Sequence, residues 1–137
     1  MSLTDSYENV ALNALLGTGH VSGTPNTVYW ALFTGDPGDT GAATNEVGAG
    51  VGYARVAQTN NTTNFPAASG GQKTNGTKVE FANPTGSWGT ITHWGLCSSA
   101  TIGAATVILR GSLDVSKTPG VGSQPYIQAG EITITMS

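Results

Sequence analysis

Glycine-rich turns interrupt this sequence so often that they limit the folds it can adopt. Glycine accounts for 20 of the 137 residues, and the segments between the turns are short and rich in β-branched and aromatic side chains. Several segments alternate apolar and polar residues, as half-buried strands do. Short strands joined by such turns are typical of a sandwich or barrel and not of a βαβ array. We therefore predict a mainly β fold, an antiparallel, jelly-roll-like β-sandwich that forms a single domain over residues 1–137.

One short N-terminal helix is predicted over residues 5–16. Tyr7, Ala11 and Leu15 recur every fourth residue beside Leu12 and Leu16, after a Thr-Asp start and before a glycine. The helix either packs its apolar stripe on its own domain or acts as an arm that lies on a neighbouring subunit. The pattern leaves both arrangements open.

The predicted strands begin after the helix and the turn that follows it. The first of them is apolar on both faces, which predicts a central strand covered on both sides. The predicted strands cover residues 27–33, 52–58, 78–81, 89–98, 104–115, 125–129 and 131–136. The region from Pro125 to Met136 is the predicted sheet edge, and pairing with another protomer would hide its exposed backbone.

Two long segments show no strand pattern. Residues 35–51 are rich in glycine and contain three acids, which predicts a long surface loop with a task of its own. Residues 59–77 are polar and of low complexity, and Phe65 is the large apolar side chain among them. This phenylalanine either plugs into its own domain or anchors the loop in an adjoining subunit.

The composition excludes several classes of partner. Charged residues make up 9% of the chain and the net charge is −3, so there is no basic stripe of the kind that binds nucleic acid. No apolar run approaches the roughly 18 to 20 residues of a membrane span. The single cysteine cannot form an internal disulfide, and the first residues lack the pattern of a secretory signal. We expect no nucleic acid and no membrane as partners, and synthesis in a cytosol.

The residues that could carry catalysis are few and scattered. His20 and His93 lie far apart in sequence, and Cys97 shares a strand face with His93 at a separation of four residues. Four residues along a strand span about 13 Å, which is beyond hydrogen-bond reach. We interpret Cys97 as a small buried hydrophobe and His93 as a structural imidazole beside Trp94. The chain is therefore predicted not to be an enzyme.

Three clustered carboxylates in the 35–51 loop raise the question of a metal site. Asp36, Asp39 and Glu46 could offer oxygen ligands to a hard cation. Their spacing does not match an EF-hand, however, and a turn shaped by Pro37 and Gly38, with Asp36 as its cap, also explains the residues. We expect no cofactor, with calcium at these three carboxylates as the alternative.

Aromatic side chains on a polar β surface can bind sugars. The candidates for such a face are Trp88, Trp94, Tyr53 and Tyr126. Trp88 follows a Pro-Thr-Gly-Ser segment at a loop edge, which makes it the best candidate for an exposed aromatic ring. The alternative is that Trp88 closes the end of the sandwich.

A set of short runs distributed over the whole chain resembles a known family. The runs are Tyr29-Trp30-Ala31-Leu32-Phe33-Thr34 with Asp36-Pro37, Asn45-Glu46-Val47, Gly52-Tyr53-Ala54-Arg55, Trp88 to Leu96, Arg110-Gly111-Ser112-Leu113 and Ala129 to Ile134. Together they resemble the small virion proteins of tailed bacteriophages, which are often called tail-fibre proteins and have relatives that serve as capsid decoration or cement. The resemblance implies a structural role in a virus particle that is made in the bacterial host cytoplasm. It brings no catalytic residue with it.

Our first hypothesis is a capsid decoration or cement protein. It would be a homotrimer on the capsid surface that binds the major capsid protein and stabilises its lattice. A compact module suits this role because the chain shows no repeats or heptads from which a fibre shaft could be built. The candidate partner-binding residues are Tyr7, Leu12, Phe65, Trp88 and Tyr126.

The alternative hypothesis is a short tail-fibre or baseplate protein that binds host surface glycans. In that case Trp88, Tyr53 and the 35–51 loop would contact the sugar.

Overall fold

The computed structural model describes residues 3–136, and within them the chain is mainly β with one short helix. The helix α1 covers Asp5–Leu15. The strands are β1 (Thr27–Phe33), β2 (Val56–Thr59), β3 (Gln72–Thr74), β4 (Val79–Glu80), β5 (Ile91–Cys97), β6 (Val107–Lys117), β7 (Tyr126–Ile127) and β8 (Thr133–Thr135). Their sheets are antiparallel wherever the register is defined, so the predicted β class with a single short helix is confirmed.

The described residues form two compact units, and each unit combines segments that are distant in sequence. The first unit consists of residues 3–27, 59–79 and 127–136, and the second of residues 28–58 and 80–126. Because these segments interleave along the chain, no single position in the sequence separates the units. The single domain over residues 1–137 stays a prediction.

The second unit contains the main sheet, in the order β2-β1-β5-β6. Strand β1 has the predicted bounds and lies between two neighbours, because both of its faces are apolar. Ala31 of β1 lies opposite Gly95 of β5, and Trp94 of β5 lies opposite Gly111 of β6. The indoles of Trp30 and Trp94 meet at 5.7 Å between ring centroids, which fills the centre of this sheet.

Strand β6 contains a large bulge. Lys117 pairs with Ile91, and Ser112 pairs with His93, so residues 113–116 of β6 face a single residue of β5. A bulge of this kind bends its strand and disrupts the ladder locally. The strand therefore extends to Lys117, two residues beyond the predicted end.

The first unit contains helix α1, and only part of the predicted apolar stripe is buried. Leu12 and Leu16 are buried, whereas Tyr7, the first residue of the predicted stripe, is exposed. The helix begins and ends within one residue of the predicted bounds.

The polar 59–77 segment is not the surface loop that its composition predicts. It contains strand β3, and Phe65 is fully buried, so this phenylalanine is a plug in its own chain. Three of its polar side chains, those of Asn60, Lys73 and Asn75, are also buried. The amide of Asn60 accepts a hydrogen bond from Gly17 N and donates to Leu15 O and Pro25 O.

The predicted C-terminal edge contains the two predicted strands in shorter form, β7 and β8, and both pair within the chain. Strand β8 pairs with β3, with Ile134 opposite Lys73, and strand β7 pairs with β4. Pairing of this region with another protomer stays a prediction.

Candidate interaction surface

The 35–51 loop of the second unit is closed at its base. Beyond the end of β1, Thr34 N donates to Asn45 O at 2.9 Å, and Val47 N donates to Leu32 O at 3.1 Å. These bonds make residues 35–44 a closed lobe. The long loop predicted from the glycine content is therefore present, with a defined shape.

A buried carboxylate lies under the base of the lobe. Arg55 forms a two-pronged contact with Glu46, from Nε to Oε2 and from Nη2 to Oε1, both at 2.8 Å. The same carboxylate accepts hydrogen bonds from the Tyr53 hydroxyl at 2.6 Å and from Gly103 N at 2.7 Å. The side chains of Arg55 and Glu46 are 0% and 2% exposed, so this ion pair is shielded from solvent.

The remaining donors of Arg55 connect the lobe to the 98–106 segment. Nη1 donates to Ser99 O and Thr106 Oγ1, each at 2.9 Å, and Nη2 donates to Ala104 O at 3.1 Å. Within residues 3–136, every buried side-chain nitrogen and oxygen has a hydrogen-bond partner. A buried ion pair with all of its partners in place holds two segments of the second unit in one arrangement.

The protonation states of this network are fixed near neutral pH. Burial alone would raise the pKa of Glu46, but the hydrogen bonds from Arg55, Tyr53 and Gly103 outweigh it and lower the pKa below its ordinary value. Burial, together with the hydrogen bond to Glu46, raises the pKa of Tyr53 far above its ordinary value. Because Glu46 stays ionised and Tyr53 stays neutral, the network is suited to structural support and not to proton transfer.

The exposed end of the lobe presents a second charged cluster. Arg110 of β6 contacts both oxygens of Asp36, at 2.9 and 3.0 Å, and also contacts Asp39. Asp36 Oδ1 accepts a hydrogen bond from Gly38 N at 2.9 Å, and Gly38 has a φ of +84°, so the predicted turn is confirmed. The backbone hydrogen bond from Gly38, with the nearby Arg110, lowers the pKa of Asp36.

The three carboxylates proposed for calcium bind two different arginines. Asp36 and Asp39 contact Arg110, whereas Glu46 contacts Arg55. Among residues 3–136 there is no group of three or more His, Cys, Asp or Glu side chains that could hold a metal ion. The calcium alternative therefore lacks a converging ligand set, because each carboxylate has a guanidinium as its counterion. That the chain binds no cofactor stays a prediction.

Three of the four aromatic candidates for sugar binding are buried, namely Trp88, Trp94 and Tyr53, whereas Tyr126 is exposed. Trp88 is 3% exposed, and its Nε1 donates to Val51 O at 2.7 Å. Tyr53 is also buried and packs edge-to-face against Trp88 at 5.3 Å between ring centroids. Neither ring presents a face to a ligand, so of the two arrangements considered for Trp88 the structure has the one in which the indole is enclosed within its own chain.

The five predicted partner-binding residues divide into two groups. Leu12, Phe65 and Trp88 are core side chains of this chain and are not available to a partner. Tyr7 and Tyr126 are 67% and 40% exposed, and their role in binding stays a prediction.

Tyr7 is part of an exposed apolar face on and before helix α1. Leu3, Tyr7 and Val10 are all exposed and are spaced four and three residues apart, which places them on one side of the helix. This face lies away from the buried Leu12. In the second unit the exposed large apolar residues are Ile108, Val115, Val121 and Tyr126.

Two of the candidate catalytic residues, His93 and Cys97, lie in strand β5. Cys97 is fully buried in an apolar cluster with Ala31 and Phe33, and burial raises its pKa to about 11. His93 Nδ1 lies 2.8 Å from Thr92 Oγ1. The interpretation of Cys97 as a buried hydrophobe is confirmed.

Sequence reasoning did not single out Arg55 by its chemistry, although a signal was present. Residues two apart in an extended chain point to the same side, so Tyr53 and Arg55 can approach one acceptor together. A buried acceptor for both was available in Glu46, which the sequence pattern instead suggested as a metal ligand.

No helix among residues 3–136 is both long enough and apolar enough to cross a membrane.

Comparison with known proteins gives a family for the chain. No curated protein matches the sequence. The sequence model of the family described as podophage GP4 fiber I protein gp80 matches residues 2–135, which is nearly the whole chain. The chain belongs to this family of bacteriophage structural proteins.

Proposed function

We propose that this chain is a fibre component of a podophage virion that acts by binding copies of itself and another virion protein. The match of residues 2–135 to a fibre-protein family carries the proposal. The same proposal includes a homotrimer as the assembled form and synthesis in the host cytoplasm. The chain acts on no substrate.

The chemistry of the surface supports a binding role. With 9% charged residues, most of the surface can be covered by a neighbour without removing ions from water, which is costly for unpaired charges. The exposed face formed by Leu3, Tyr7 and Val10 is apolar, and its burial against a second copy would be favourable.

The shape of the lobe supports the same role. Its base is fixed by the buried Glu46–Arg55 pair, and its exposed end carries Asp36 and Asp39 beside Arg110. A surface fixed in advance loses little conformational entropy when a partner binds.

Capsid decoration is the second candidate, and one observation favours it. The α-helix of the described chain has 11 residues, and no repeat or heptad pattern is present from which a shaft could be built. In this version the homotrimer binds the major capsid protein on the capsid surface and cements its lattice.

The position of the chain in the particle distinguishes the two candidates. Purified virions are labelled with gold-conjugated antibodies against the chain and imaged by electron microscopy, and the copy number is measured by quantitative mass spectrometry. Label confined to the tail, at a few copies per particle, is expected for the fibre component. Label over the whole capsid at a lattice-scale copy number would overturn the fibre role and support decoration. Particles without any copy of the chain would overturn both.

A further inference from the structure

Lys73 places an amine in the interior of the first unit. Of the lysines in the sequence only Lys73 is buried, at 2% exposure, and it occupies the middle of strand β3. Its Nζ donates a hydrogen bond to Oδ1 of Asn13 at 2.7 Å, and no ion pair of residues 3–136 includes it. Burial lowers the pKa of Lys73 because the charged form loses its hydration. The neutral amine, which is the nucleophilic form, is therefore easier to reach than on an exposed lysine.

The amide that faces this amine is polarised. Oδ1 of Asn13 accepts a second hydrogen bond, from Ala68 N at 2.9 Å. Two donors on one carbonyl oxygen draw electron density from Cγ, and a fixed backbone N–H can hold the charge that develops on the oxygen in acyl transfer. Because a C=O bond is about 1.23 Å long, Cγ lies within about 4 Å of Nζ. This separation is close to the roughly 3–3.5 Å of a near-attack arrangement.

The two groups are held together by their neighbours. One turn before Asn13 on helix α1, Asn9 Oδ1 accepts a hydrogen bond from Gly71 N at 2.9 Å. The segment that leads into Lys73 is therefore bonded to the helix at two successive turns, through Asn9 and Asn13. Such positioning converts a reaction between two molecules into one within a single molecule, which gives a large rate advantage.

We propose that Lys73 and Asn13 join in an intramolecular isopeptide bond. The neutral Nζ attacks Cγ of Asn13, and the Nζ–Cγ bond forms while the negative charge develops on Oδ1, where Ala68 N–H holds it. The Cγ–Nδ2 bond then breaks, and Nδ2 leaves as ammonia with the proton lost by Nζ. An amine and a primary amide become a secondary amide and ammonia, so no oxidant, reductant or further reactant is consumed.

The bond would link two segments that are 60 residues apart in sequence. A covalent link of this length closes a large loop and reduces the entropy of the unfolded chain. Helix α1 and strand β3 would then stay connected even when the chain unfolds.

The mass of the intact, folded full-length chain tests the proposal directly. We expect the wild-type chain to be lighter than its sequence mass by one ammonia, and Lys73→Met to have its full sequence mass. Asn26→Ala is the matched control, since it removes an exposed side-chain amide that neither reacts nor positions Lys73 or Asn13, and this variant should still lose ammonia. Trypsin does not cut after an acylated lysine, so residues 1–55 and 56–78 should be released as one branched peptide.

A second reaction could imitate the mass change, and the digest separates the two. A succinimide at Asn75, which precedes a glycine, would also lose ammonia, but it would persist in Lys73→Met and leave the cleavage after Lys73 intact. Near-ultraviolet circular dichroism of the same sample establishes that the chain is folded. A folded wild-type chain with the full sequence mass and with cleavage after Lys73 would overturn the proposal.

Discussion

At the residue scale, buried polar side chains determine the shape of the proposed binding surface. The carboxylate of Glu46 lies under the lobe with four donor contacts, from Arg55, Tyr53 and Gly103. An ion pair in this setting is costly to break, because removal of one partner leaves an uncompensated charge in the interior.

We expect Arg55→Leu to lower the free energy of unfolding by about 3–5 kcal/mol, since it leaves the Glu46 carboxylate buried without its counterion. Urea unfolding followed by tryptophan fluorescence gives the value. The double variant Arg55→Leu with Glu46→Leu should recover a large part of the loss. Arg110→Leu is the control on the exposed cluster and should change stability little. A loss in Arg55→Leu no larger than that in Arg110→Leu would contradict the importance of the buried pair.

The ionisation of Glu46 should appear in the pH dependence of stability. The pKa of Glu46 in the folded chain is lowered from an ordinary value of 4.5. Its contribution to the free energy of unfolding is therefore present in full above about that pH. The contribution is lost as the pH falls through the lowered value, because the unfolded chain then binds the proton more readily. In Glu46→Gln the unfolding free energy should depend less on pH in this acid range than in the wild type. Equal slopes for the two proteins would show that Glu46 is not linked to folding.

Gly52 should tolerate substitution less well than Gly50, although both have positive φ angles, of +83° and +87°. A Cβ at Gly52 would lie 2.5 Å from the backbone oxygen of Asn83, whereas a Cβ at Gly50 would meet nothing within 4 Å. Gly50→Ala should cost about 1–2 kcal/mol from backbone strain alone. Gly52→Ala should cost clearly more, as measured by thermal unfolding, and an equal effect of both would refute the steric argument.

At the element scale, the sequence predicted what apolar patterns control and missed what polar contacts control. Strand β1 has its predicted bounds because its two apolar faces are an unambiguous local signal. Strand β3 consists of Gln-Lys-Thr and has no such signal. Its middle residue, Lys73, is buried with Asn13 as its hydrogen-bond partner, and a contact between residues 60 apart leaves no trace in local periodicity.

The end of helix α1 is supported by a side chain from the same polar segment. Asn60 bonds Gly17 N at 2.7 Å and the carbonyl oxygens of Leu15 and Pro25 at 3.0 Å. Asn60→Ala leaves these buried groups without partners and should lower the free energy of unfolding by about 1–3 kcal/mol, as measured in urea. The exposed Asn26→Ala is the control and should have little effect. Equal stability of the two variants would show that Asn60 does not support the helix end.

At the scale of the whole molecule, the proposed self-assembly depends on the apolar face at the N-terminal helix. Tyr7→Ser combined with Val10→Ser should lower the oligomeric state, because the apolar area available to a second copy is lost. Light scattering coupled to size-exclusion chromatography measures the mass of the particle in solution. Val115→Ser, at an exposed apolar position in the bulge of β6, is the matched control and should leave the assembly unchanged. A wild-type chain that is monomeric at all concentrations would contradict the homotrimer.

The enclosure of the Glu46–Arg55 pair has a consequence for the environments in which the lobe keeps its form. Dissolved salt screens exposed charges over about 10 Å at 0.1 M, but it acts much less on a pair whose side chains are 0% and 2% exposed. The contacts between Arg110 and the two aspartates are open to water and weaken as ionic strength rises. A virus particle that passes between dilute and saline media would therefore present a lobe of constant geometry whose outer charges alone respond to the medium.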